Sequence, residues 1–73
     1  MTANQAPIFT DLSQARQWVN RQSLDEVFYL VESTVRTVGY DGVVMVSCFE
    51  FFNTEDMEKM GGKQEFNIIE SWS

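Results

Sequence analysis

The stretch from Val43 to Phe52, VVMVSCFEFF, constrains the fold more than any other part of this chain. In an extended strand, successive side chains leave on opposite faces. One face here carries Val43, Met45, Ser47, Phe49 and Phe51, and the other Val44, Val46, Cys48, Glu50 and Phe52. Both are strongly apolar, and such a strand ordinarily sits centrally in a sheet covered on both sides. One short helix can cover only one side. The other needs the N-terminal residues, the segment Asn53–Met60, a second copy of the chain, or a partner.

The neighbouring segments supply the rest of a sheet. Gly39-Tyr40-Asp41-Gly42 is a good turn between two strands. The segment before it, Ser23–Val38, reads two ways. Ser23 and Glu26 have capping-box spacing, and Leu24, Val27, Phe28, Val31, Val35 and Val38 recur at helical intervals, with Gly39 as a stop. Against this, Val, Thr, Phe and Tyr fill eight of the twelve places from Val27 to Val38. Such side chains fit a pleated surface and lose rotamer freedom in a helix. The strand is the reading adopted. Glu65–Trp72 alternates in part, with Phe66, Ile68 and Trp72 on one face and Ile69 on the other, and is read as the last strand.

A helix is predicted from Leu12 to Arg21. Asp11 is its N-cap, Gln14 stands at the third helical position, and Leu12, Ala15, Trp18 and Val19 form one apolar stripe. Asn53–Met60 is polar and acidic, one or two helical turns closed by Gly61-Gly62. The expected fold is α+β, one N-terminal helix packed on a three-stranded antiparallel sheet; the alternative is two helices plus a C-terminal β-hairpin. Residues 1–7 are expected to be a flexible N-terminal arm, with Ile8 and Phe9 a short strand or an anchor, and residues 8–73 one small domain. A chain of 73 residues has room for one domain and a thin core.

Several function classes are disfavoured. There is no histidine, so Ser-His-Asp and Cys-His chemistry and the common zinc sites are out. The single cysteine, Cys48, has no disulfide partner and no base to activate it; it reads as a small buried apolar residue. Gly61-Gly62-Lys63 is followed by Gln64 and lacks the earlier glycine of a phosphate loop. We therefore expect no enzyme, no metal and no cofactor. No segment has the length of a membrane span or the pattern of a secretory signal, and a cytoplasmic location is expected.

Charge points to a protein partner. The formal charge is −6; Met1–Gln22 carries one acid against two bases, and Ser23–Ser73 ten acids against three bases. Direct nucleic-acid binding would call for the opposite sign. Acids cluster late, at Glu50, Glu55, Asp56, Glu58, Glu65 and Glu70. Six neighbours, Glu50, Phe51, Phe52, Glu55, Asp56 and Glu58, combine acids with aromatic anchors and form the candidate partner-binding site. Size, charge and absent chemistry suit a small acidic regulator or inhibitor, of the kind with which viruses block host machinery. Its partner would be a basic groove on a nucleic-acid enzyme such as RNA polymerase or a defence nuclease. The alternative is a homodimer or an accessory subunit that buries the second sheet face.

Overall fold

The Asp11 side chain starts the first helix as its sequence position requires: it accepts from the Gln14 amide at 3.1 Å. The computed structural model describes residues 2–62 and 66–73. A 3-10 turn at Ala3–Gln5 is followed by α1 (Leu12–Asn20), β1 (Phe28–Gly39), β2 (Gly42–Phe52), α2 (Thr54–Lys59) and β3 (Asn67–Trp72). The strands form one antiparallel sheet in the order β2-β1-β3. This is the expected α+β fold, and the ambiguous stretch before Gly39 is strand from Phe28 onward. The last strand begins at Asn67; Lys63, Gln64 and Glu65 lie outside the described residues.

The twice-apolar strand is not central. β1 holds the middle, and β2 lies at an edge. The tight turn fixes β2 beside β1, and β3 pairs on the far side of β1 rather than on the free edge of β2.

One face of the sheet meets α1. Phe28, Leu30, Phe49 and Phe51 are buried there with Ala15, Val19 and Ala3, and Leu12, Trp18, Phe9 and Trp72 pack around them. Phe51 is the hub. Its ring lies 5.5 Å from Trp18, 5.8 Å from Phe28, 5.9 Å from Trp72 and 6.3 Å from Phe9. Contacts of this kind contribute about 0.5–1.5 kcal/mol each beyond the area buried.

The N-terminal residues fold down rather than standing off as a flexible arm. Ala3 is buried, and its amide donates to Glu26 Oε2 at 2.9 Å. Two small alanines, Ala3 and Ala6, pack against the core. Phe9 bridges to Phe49 through both backbone groups, at 2.9 and 2.7 Å.

β3 carries a bulge. Leu30 faces Glu70 but Val31 faces Ile68, so Ile69 is an extra residue on β3. The bulge shifts the alternation. Trp72 stands opposite Phe28 and packs with Ile69 against the core, so it does not share a face with Ile68 as simple alternation predicts.

The other face of the sheet is partly covered by α2. Asn53 caps this helix, its Oδ1 accepting from the Asp56 amide at 2.7 Å, while its Nδ2 donates to Glu26 Oε2 at 3.2 Å. Gly61 and Gly62, at φ 112° and 92°, close it, and the Gly62 amide donates to the Met57 carbonyl at 2.9 Å. The Thr54 hydroxyl reaches the Tyr29 hydroxyl at 3.5 Å, which puts α2 on the face of Tyr29. Met57 is fully buried, and Phe52 and Phe66 lie ring to ring at 5.4 Å. Cys48 is half-buried on this face, not buried as expected; it lies where β2 passes from the covered body, at Phe49, to the exposed ribbon, at Met45.

Candidate functional site

β1 and β2 are longer than the body that anchors them. β1 runs for 12 residues, yet its described pairing with β3 covers only Phe28–Glu32. Beyond it, β1 and β2 continue as a two-stranded ribbon to the turn at Tyr40-Asp41. Every residue of Ser33–Val38 and of Gly42–Met45 is exposed. At about 3.3 Å per residue this ribbon extends roughly 20 Å, in a molecule 43 × 28 × 18 Å across.

Its surface is apolar on both sides. Val35 pairs with Val46 and Thr37 with Val44 on the α2 side; Arg36 pairs with Met45 and Val38 with Val43 on the α1 side. Val38 is 85% exposed, Met45 60% and Tyr40 fully. Two charged side chains, Arg36 and Asp41, lie between Ser33 and Ser47, so the whole −6 resides in the rest of the chain.

Two devices hold the ribbon out with no core beneath it. Cross-strand pairs of β-branched side chains contribute roughly 0.2–1 kcal/mol each. The turn fixes the register, with Gly39 opposite Gly42. Neither Tyr40 nor Asp41 has positive φ; Gly42 takes it instead, at 122°. The pairing reaches Gly39 and Gly42 without a shift, so this is a two-residue turn, but not the mirror-image one in which both central residues are left-handed.

The outer edge of β2 is open along the ribbon. Phe49 directs its N–H and C=O away from β1, to Phe9. These groups alternate along an antiparallel strand, so Ser47, Met45 and Val43 direct theirs to the same side. Among the described residues nothing hydrogen-bonds them there.

The six residues singled out from sequence are not one surface. Phe51 is 3% exposed at the centre of the core and cannot act as an anchor for a partner; its face of β2 is the one α1 covers. Glu50, Phe51, Phe52 and Asp56 line a cleft of about 270 Å³ with Ala3, Asn4, Ala6 and Ile8. Phe52 is half-buried against Phe66. Glu55 and Glu58 are exposed on α2, Glu55 paired with Lys59 at 3.1 Å. Glu55 and Asp56 occupy the first turn of their helix, where negative charge is favoured. The ribbon residues Val35, Val38, Val43, Val44 and Met45 were missed as a site. Their signal was present in the unbroken apolar alternation from Val43, but alternation does not say where the covering layers end.

Comparison with protein families, with curated proteins and with solved structures finds no match. The functional reading rests on the geometry.

Proposed function

We propose that this chain is a non-enzymatic protein-binding module whose contact surface is the ribbon Ser33–Ser47. The observation that carries the reading is the exposure of Val38, Val43, Val44 and Met45 on a projecting hairpin whose side chains do nothing for its own core. Natural proteins blunt such edges with charges, proline or bulges, because a bare apolar edge recruits other chains. Here the same edge is closed at Phe49 by Phe9 and left bare beyond it.

A second contact is favoured by one further observation. Glu55, Asp56 and Glu58 lie on α2, at the end of the sheet away from the ribbon tip. This end is suited to a basic surface, such as the groove of a nucleic-acid enzyme, and is where a regulatory or inhibitory action on that partner would be exerted.

The test of the ribbon is capture from extract of the source cell by wild type and by Val38→Lys with Val43→Glu. Both sites are exposed and stand opposite each other, so the introduced pair is attractive and the variant should keep its fold by circular dichroism. Loss of the captured protein supports the reading. Undiminished capture by the folded variant rules the ribbon out as the contact.

A further inference from the structure

We infer that the ribbon's open edge is occupied by a second copy of this chain, paired antiparallel through β2 about a two-fold axis at Met45. This rests on the ribbon being a protein contact, and names what it contacts.

The edge is self-complementary. It is bounded on one side by the turn that ends at Gly42 and on the other by the Phe9–Phe49 bridge. Between these stops, Val43, Met45 and Ser47 present N–H and C=O outward, spaced evenly about Met45. A two-fold axis there places Met45 against the partner copy's Met45, and Val43 against the partner copy's Ser47. Each outward donor then meets an outward acceptor, and the pairing fills the open edge of both copies. On the other strand face, Val44 comes opposite the partner copy's Val46. No charged side chain and no proline falls within Val43–Ser47.

Charge selects the same place. A copy carrying −6 is repelled by another copy wherever acids meet acids, and the ribbon is the part whose charges, Arg36 and Asp41, cancel. The product is a six-stranded sheet in the order β3-β1-β2-β2-β1-β3, with an acidic body at each end.

Equilibrium sedimentation of the full chain tests this at about 0.1 mM, where pairing of even micromolar strength is nearly saturated. The expected mass is twice the 8.5 kDa of the chain. Met45→Pro removes an outward N–H without touching the β1 ladder, and should return the single mass with the fold kept. Hydrogen exchange adds a backbone readout: the Val43, Met45 and Ser47 amides should be protected in wild type, and those of Val43 and Ser47 exposed in Met45→Pro, while Val44 and Val46, bonded to β1, stay protected in both. A monomeric wild type overturns the inference, as does a Met45→Pro variant that remains dimeric. Co-expression of tagged and untagged chains separates this from the reading beneath it. If the ribbon-dependent captured protein is the untagged copy, the inference holds. If it is a different protein, the second copy is wrong and the ribbon contact stands. If ribbon variants retain everything, both fall.

Discussion

At the scale of single residues, Phe51 and Phe52 show how one position decides a role. They are adjacent and chemically identical, yet Phe51 closes an aromatic cluster of four rings around itself while Phe52 meets Phe66 on the opposite face. Truncating a buried phenylalanine costs about 3–5 kcal/mol, and a domain of this size has only a few to spare. Phe51→Ala should therefore leave the chain largely unfolded at 25 °C by near-ultraviolet circular dichroism. A folded Phe51→Ala variant would remove Phe51 from the centre of the core. The sequence could not separate the two, since both faces of β2 are apolar and parity alone does not name the face that α1 covers. The helix start at Asp11 was legible because one short acidic side chain caps the amide three residues on. Ala3 was not: its neighbours Thr2, Asn4 and Gln5 are polar, and the Glu26 carboxylate that accepts its amide is 23 residues away.

At the scale of elements, the hairpin turn carries the register of the whole ribbon. Gly42 has φ 122°, a conformation that side-chain-bearing residues rarely adopt, while a methyl group there would meet no atom within 4 Å. The cost of Gly42→Ala is thus one of backbone conformation, about 1–2 kcal/mol. It should fall on the ribbon: amide exchange at Thr37 and Val44 accelerates, while that of Leu30, at the sheet's centre, changes little. Equal acceleration at all three would mean that ribbon and body unfold as one unit. Strand character was legible from β-branched composition, and the turn from its two glycines. What was hidden was the bulge at Ile69 and the place where the third strand stops. Both depend on how β3 meets β1 across a long sequence separation, which local pattern does not encode.

At the scale of the whole molecule, the two ends should respond to salt with opposite signs. Self-association through the ribbon brings together two bodies of charge −6, so screening should strengthen it. Binding of a basic surface by the α2 end should weaken with salt. Glu55→Gln, Asp56→Asn and Glu58→Gln together move the charge from −6 to −3. This triple variant should slow association with a basic protein by several-fold, flatten its salt dependence, and slightly favour the dimer. Association rates across ionic strength, with dimer mass measured alongside, check all three. A salt-independent association rate with the basic partner would leave the acids no role in steering.

The long hairpin also orders events in time. β1 and β2 are joined by two residues, so their pairing closes almost no loop, whereas β3 must reach β1 from beyond α2. Closing a longer loop costs more entropy and slows the contacts that depend on it. We therefore expect the hairpin to form early and β3, with Trp72 arriving over Phe51, to dock late. Until that step Phe51 lacks its Trp72 cover beside a ribbon already bare, so the interval before β3 docks is when this chain is most exposed to irreversible association.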